Sequence, residues 1–233
     1  ACLMVAAYNG EYKMGKIDVK GAFIQTEMEG PLVFIQCNKQ LTTLMVKTIP
    51  ELAEYVTDEG FLYCRVLKAL YGCVQASKLW YNKLTKVLRA EGYEHSPTDP
   101  CVMRRIVDRK VFLLLIYVDD ILILADEAEL KRIQEVFVRE FTWITFDVNN
   151  QHSYLGMQVS LKKGSATIDM TTFVQKLIDD CVNLRDYTSP AAKNAFLVNP
   201  EATSLSETDR RLFHTIVAKL LYLSKRARPD ILT

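Results

Sequence analysis

Two adjacent carboxylates, Asp119 and Asp120, stand in the middle of an otherwise apolar run, Ile116-Tyr117-Val118-Asp119-Asp120-Ile121-Leu122-Ile123. Neighbouring carboxylates repel, and burial makes ionisation costlier, so such a pair holds a proton unless a cation sits beside it. Magnesium supplies that cation, because it prefers hard oxygen ligands. The plain alternative is a turn, since Asp accepts local hydrogen bonds and tolerates unusual backbone angles, and the dipeptide alone leaves the two readings level. A third acid changes the balance. Asp18 lies at the centre of Met14-Gly15-Lys16-Ile17-Asp18-Val19-Lys20-Gly21-Ala22-Phe23, with an aromatic five residues later. Two-metal phosphoryl transfer draws carboxylates from more than one strand, so that ions about 3.5 to 4 Å apart clamp the attacking and leaving oxygens. Asp18 is the candidate third ligand, although by itself it reads better as the cap of a following helix or turn.

The elements that must position these acids can be sketched from periodicity. Residues 111–118 and 121–125 are rich in Val, Ile, Leu and Phe and read as buried strands, with the Asp pair as the two-residue connection. Residues 77–91 place Leu79, Trp80, Leu84, Val87 and Leu88 at helical spacing, with Gly92 as the stop and Trp80 in the core rather than serving as a stacking platform. Asp126 caps a helix that carries Leu130, Ile133, Phe137 and Phe141 on one face. Residues 154–160 alternate as one strand, and Lys162-Lys163-Gly164 turns it back toward residues 166–170. Phe173, Val174, Leu177, Ile178 and Cys181 mark another amphipathic helix. Residues 189–200, bounded by Pro190 and Pro200, form the most linker-like stretch. Ser206-x-x-Asp209 approximates a capping box and opens a helix with Leu212, Ile216, Val217, Leu220 and Leu221 inward. Residues 38–59 alternate poorly and receive no assignment.

Four blocks in order resemble the copia-type retrotransposon reverse transcriptases: KIDVKGAF; LKALYGCVQASKLWYNKL with GYEHSPTDPCV; LLLIYVDDILIL; and YLGMQVSL followed downstream by LLYLSKRARPDI. The resemblance implies an α+β fold, a right-hand polymerase palm with partial fingers and the start of a thumb and connection. Residues 1–160 would hold fingers and palm, 161–188 a thumb-like hairpin and helix, and 189–233 a linker and the start of the connection. It also implies roles. Asp18 and Asp119 would be the principal ligands of two magnesium ions, for which manganese can substitute, with Asp120 more peripheral and Val19 lending its carbonyl. Phe23 would lie beneath the incoming sugar and exclude a 2′-hydroxyl; the plain reading is a core Phe. Tyr117 and Val118 would lie near the primer end, and Gly72 and Gln75 behind the templating base, where glycine lets backbone approach closely. Tyr154, Leu155, Gly156 and Met157 would grip the primer. The partners implied are an RNA template, a DNA primer and deoxynucleotides, with integrase and RNase H in the same polyprotein, inside a cytoplasmic virus-like particle. The chain departs from the family pattern at Ile24-Gln25-Thr26, at Gln75-Ala76-Ser77-Lys78 and at Thr172, none of them touching a proposed metal ligand.

Composition agrees without compelling this reading. The 233 residues, 49% hydrophobic and 24% charged, suffice for one large core or two subdomains. A net charge of +1 is low for a nucleic-acid enzyme, so any basic groove must come from clustering. Candidates are Lys83, Lys86 and Arg89; Arg104, Arg105, Arg109 and Lys110; and Lys219, Lys225, Arg226 and Arg228, each of which reads first as a solvated face. Six cysteines and three histidines show no metal-type spacing and point to reduced thiols in an intracellular protein. No stretch is long enough for a membrane span, and no secretory signal opens the chain. Both ends read as cut, so a fragment or decayed copy is expected. Two other classes stay open: a non-catalytic remnant that binds nucleic acid or protein, and an unrelated two-metal nuclease or cyclase.

Overall fold

The computed structural model describes residues 2–181, 197 and 200–232. In chain order these form α1 (Cys2–Asn9), β1 (Lys13–Val19), β2 (Phe34–Cys37), α2 (Lys39–Thr48), β3 (Leu62–Arg65), α3 (Ala76–Ala90), β4 (Glu94–His95) and β5 (Val102–Val107). There follow β6 (Lys110–Tyr117), β7 (Asp120–Ala125), α4 (Glu127–Glu140), β8 (Ile144–Asn149), β9 (Gln151–Tyr154), β10 (Met157–Lys162), β11 (Ser165–Asp169), α5 (Thr171–Asp179) and α6 (Glu207–Ser224). The chain divides into two compact units between Asn149 and Asn150. Helices and antiparallel strands are thus mixed, as the α+β expectation had it.

The first unit is built on a six-stranded sheet of order β4-β5-β6-β7-β1-β8, every neighbouring pair antiparallel. Its middle is continuous apolar sequence: Leu114, Ile116, Ile121, Leu122, Ile123 and Leu124 are all buried. Side chains alternate across a strand, so Gly15, Ile17 and Val19 share one face of β1, and Met14, Lys16 and Asp18 the other. The helix α4 crosses the first of these faces. A Cβ at Gly15 would lie 2.7 Å from Leu130 Cδ2 and 3.1 Å from Phe146 Cε2, so glycine permits that approach. Helices α3 and α4 bury Trp80, Leu84, Leu88, Ile133 and Phe137, the stripes their periodicity indicated, and Trp80 meets Phe141 edge-on at 5.3 Å. Asp126 caps α4 by accepting from Glu129 N at 3.0 Å.

Residues 38–59, unassigned from sequence, hold α2 and a short 3-10 turn, Pro50–Tyr55, inserted between the two strands of the β2–β3 ribbon. Asn38 caps α2 by accepting from Leu41 N at 2.9 Å.

One buried acid ties the unit together. Glu129, 4% exposed, accepts from the Tyr93 hydroxyl at 2.7 Å, Arg105 Nη1 at 2.7 Å, and Arg132 Nε and Nη2 at 2.9 and 2.8 Å. Burial, then the Glu129 charge, pushes the Tyr93 hydroxyl far above the usual phenol range. Glu129→Ala leaves the Arg105 guanidinium and the buried Tyr93 hydroxyl without this acceptor, while Arg132 keeps its 2.7 Å bond to Glu91. We expect a loss of about 3 kcal/mol, at the low end for a broken buried pair because Arg132 keeps Glu91 and both arginines keep some contact with water. Urea unfolding checks this, and a loss under about 1 kcal/mol would show that solvent replaces the carboxylate.

The second unit carries the three-stranded sheet β11-β10-β9 and helices α5 and α6. Residues 154–160 are not one strand. The chain reverses at Leu155 and Gly156, with Tyr154 paired to Met157. Leu155 (φ 49°) and Gly156 (φ 71°) are both left-handed, the pattern of a type I′ hairpin. The turn at Lys163-Gly164 and the helix after it stand where sequence placed them. Ser206 caps α6 as the capping box implied, accepting from Asp209 N at 3.1 Å. Its expected inward face differs: Leu212, Val217, Leu220 and Leu221 are each at least 40% exposed, and burial is confined to Leu223 and Ser224. The linker at 189–200 falls almost wholly outside the described residues.

Candidate active site

The site is assembled where β1 meets the β6–β7 hairpin. Cross-strand register places Asp18 directly opposite Asp120. Opposed residues share a face, so these two carboxylates stand together on the side of the sheet away from α4. The hairpin turn lies one residue earlier than the Asp pair suggests: Tyr117 pairs with Asp120, leaving Val118 and Asp119 as the turn. Val118 has φ 56°, a left-handed conformation that a β-branched residue adopts at a cost of about 1–3 kcal/mol. Surrounding contacts hold it there. Trp80 Nε1 donates to the Val118 carbonyl at 2.6 Å, and Val19 N donates to the Asp119 carbonyl at 3.2 Å. The strained tip is thereby fixed to α3 on one side and to the Asp18 strand on the other.

The electrostatics are those of crowded acids. Burial raises the Asp120 carboxyl above its ordinary pKa, and Asp18 and Asp119 raise it further against the pull of Lys16. Lys16 Nζ stands 3.1 Å from Asp120 Oδ1, an ion pair that offsets part of the cost of holding this half-buried carboxylate among other acids. Asp119 takes a hydrogen bond from the Tyr71 hydroxyl at 3.2 Å. The Tyr71 ring in turn packs on Phe23 with centroids 4.5 Å apart. Phe23 is 5% exposed, which suits a core residue and a gate alike.

Residues 2–192 match the reverse transcriptase (RNA-dependent DNA polymerase) family. The chain belongs to this family. It is 23% identical over 95% of its length to the retrovirus-related Pol polyprotein from transposon TNT 1-94 of Nicotiana tabacum, covering 16% of that protein. It is 28% identical over 75% of its length to the Pol polyprotein from transposon RE1 of Arabidopsis thaliana, covering 12% of it. The chain therefore spans less than a fifth of either relative. Among solved structures, a foamy viral protease-reverse transcriptase in complex with RNA/DNA hybrid aligns over 96% of this chain and 23% of its own, at 11% identity and a TM-score of 0.45. The copia-type resemblance carried by the four motif blocks holds.

Family membership implies a divalent metal. Among the described residues no three His, Cys, Asp or Glu side chains are already gathered for one. Lys16 stands against Asp120, and Tyr71 donates to Asp119. The donor chemistry nevertheless fits. Three carboxylates gathered at two adjoining strand ends, crowded enough that Asp18 and Asp119 both disfavour the charge on Asp120, are the hard ligands that magnesium takes.

The remaining candidates are distributed as follows. Tyr117 is 56% exposed on the Asp18 and Asp120 face of the sheet. Gly72 has φ 96° and open space where a Cβ would lie, so its backbone angle is what calls for glycine. Gln75 immediately precedes α3 and makes no side-chain cap. Tyr154, Leu155, Gly156 and Met157 form the hairpin of the second unit, where the Tyr222 hydroxyl donates to the Leu155 carbonyl and a Cβ on Gly156 would lie 2.8 Å from Tyr222 Oη.

Three site residues escaped the sequence reading. Lys16 could have been found, lying two positions before Asp18 and hence on its face. Tyr71 gave no periodic signal. Gln25, noted only as a departure from the family pattern, clamps two loops: its Nε2 donates to the Lys20 and Thr142 carbonyls at 2.9 and 2.6 Å, and its Oε1 accepts from Thr142 N at 2.9 Å. Among the described residues, six of the eleven basic candidates are engaged within the protein. Lys83 bonds the Gln25 carbonyl, Arg105 bonds Glu129, Lys110 bonds Asp126, Lys219 pairs with Asp180, Arg226 lies over Tyr222 and Arg228 pairs with Asp230.

Proposed function

We propose that this chain adds deoxynucleotides to a DNA primer on an RNA template, as the polymerase segment of a copia-type retrotransposon Pol polyprotein. The observation that supports this most is the register that sets Asp18 opposite Asp120 with Asp119 at the adjoining turn. In this reading residues 1–160 act as fingers and palm, 161–188 as the beginning of a thumb, and 189–233 as linker and connection. Asp18, Asp119, Asp120 and the Val19 carbonyl would hold two magnesium ions, or manganese in their place. When bound, such ions lower the pKa of the primer 3′-hydroxyl and neutralise charge on the departing pyrophosphate.

The chain's own residues do the rest. Lys16 offsets the mutual repulsion of the carboxylates. Trp80 and Val19 keep the Val118-Asp119 turn rigid, so the acids need little rearrangement at the moment of reaction. Phe23 lies beneath the sugar of the incoming nucleotide. Gly72 and Gln75 back the templating base, Tyr117 and Val118 neighbour the primer end, and Tyr154 to Met157 hold the primer strand. Integrase and RNase H segments of the same polyprotein, and a cytoplasmic particle, complete the setting.

Primer extension tests the reading. Purified chain with an RNA template, a 5′-labelled DNA primer, magnesium and the four deoxynucleotides should give a ladder of longer products. Retention of the primer–template in a gel shift without growth would instead support the non-catalytic remnant, and shortened strands would support a nuclease.

A further inference from the structure

We infer that Tyr71 is a positioning residue serving both halves of the site at once, its hydroxyl orienting Asp119 and its ring bracing Phe23. This rests on the polymerase reading above. The observations are geometric. The Tyr71 hydroxyl donates to Asp119 Oδ2 at 3.2 Å, although the two lie 48 positions apart. The same side chain packs its ring on Phe23 at 4.5 Å and 48° between planes. Asp119 sits in a two-residue turn whose backbone is fixed, and Phe23 in the loop after β1, so strand pairing orients neither side chain. One side chain spans the gap between them.

The arrangement has a physical rationale. A carboxylate at a hairpin tip can swing about its own χ1, and a partner on one oxygen restricts it while leaving the other oxygen available. A hydroxyl does this without bringing a competing positive charge, which an arginine or lysine there would introduce. The ring meanwhile backs the Phe23 ring in a tilted contact, so Phe23 cannot yield easily to a larger sugar. Tyr71 is itself 65% exposed, with little burial of its own to explain it as a core residue.

The two roles separate by substitution. Tyr71→Phe removes the hydroxyl and keeps the ring; Tyr71→Ala removes both. For Tyr71→Phe the full 233-residue chain should bind manganese, without nucleotide or primer, roughly tenfold more weakly, a hydrogen bond to a charged group discounted for exposure. Its kcat for deoxynucleotide addition should fall with little change in KM, and its preference for deoxy- over ribonucleotides should stay. Tyr71→Ala should weaken manganese similarly and in addition relax the sugar preference. Manganese affinity is read by electron paramagnetic resonance of the free ion, and thermal melting confirms that each variant is folded. Unchanged manganese affinity in Tyr71→Phe beside normal wild-type binding overturns the orienting role and leaves the polymerase reading standing. An unchanged sugar preference in Tyr71→Ala overturns the bracing role. Failure of the wild-type chain to bind manganese overturns the metal assignment and this inference with it.

Discussion

Asp119→Asn should reduce extension on an RNA template by at least about a thousandfold while leaving the fold intact. The magnitude follows from charge. An amide keeps the size of a carboxylate and loses the anion, and the charge stabilisation a metal provides amounts to several kcal/mol, with each ~1.4 kcal/mol worth tenfold in rate. The fold should survive because the side chain has a light structural role. Asp119 is half-exposed, and its contact with β1 is made by its backbone carbonyl, which accepts from Val19 N at 3.2 Å. The Tyr71 hydroxyl, 3.2 Å from Asp119 Oδ2, can donate equally to an amide oxygen. Thermal stability should therefore stay within about 0.5 kcal/mol of the parent, the usual range for a substitution that breaks no buried contact. Single-turnover extension and a melting curve on the same preparation check both halves. Near-normal synthesis by the folded variant would mean that Asp119 holds no metal.

How much of this could be read in advance depended on whether the signal was local. Strands β6 and β7 were legible because a continuous Val, Ile and Leu run has few alternatives, and α3 and α4 because their apolar stripes recur at helical spacing. The turn between the strands was misplaced by one residue. No propensity favours a β-branched Val118 in the left-handed region, and the contacts that hold it there come from Trp80 and Val19, distant in sequence. The same holds at Leu155, where a leucine occupies a left-handed turn position and makes two strands out of an apparently continuous one.

In the insertion at residues 38–59 the apolar residues are scattered and partly exposed, Leu41 and Leu44 among them, so no stripe pointed to α2. Its Asn38 cap was the one available clue. Periodicity in α6 marked an apolar face correctly and could not say whether anything covers it. Charge runs behaved alike, since counting Lys and Arg does not reveal which already face a carboxylate. Within the site, the Asp pair stood out as charge in an apolar run yet read equally well as a turn, Asp18 by itself read as a cap, and the four-block resemblance joined them, whereas Tyr71 meets Asp119 and Phe23 only through contacts made by folding.

Phe23→Val should lower the preference for deoxy- over ribonucleotides by on the order of 100-fold, the discrimination obtainable when a pocket rejects an added hydroxyl mainly by fit. Valine lacks the ring that would meet a 2′-oxygen, and its shorter side chain cannot reach the position that Tyr71 now braces 4.5 Å away. The substitution carries a second effect. Phe23 is 5% exposed, so shortening it leaves space in the core at a cost of about 2 kcal/mol, less than the full loss of a Phe. The two effects are easily confused if only total synthesis is measured, because a destabilised chain also makes less product. Supplying both nucleotides to one preparation separates them. Molecules that have unfolded use neither substrate, so the ratio of incorporation reports only the folded fraction and is blind to how large that fraction is. A gate predicts a changed ratio whatever the melting temperature does; a core phenylalanine predicts a lower melting temperature and a ratio that stays put. An unmoved ratio would assign Phe23 to the core and leave sugar selection to some other group.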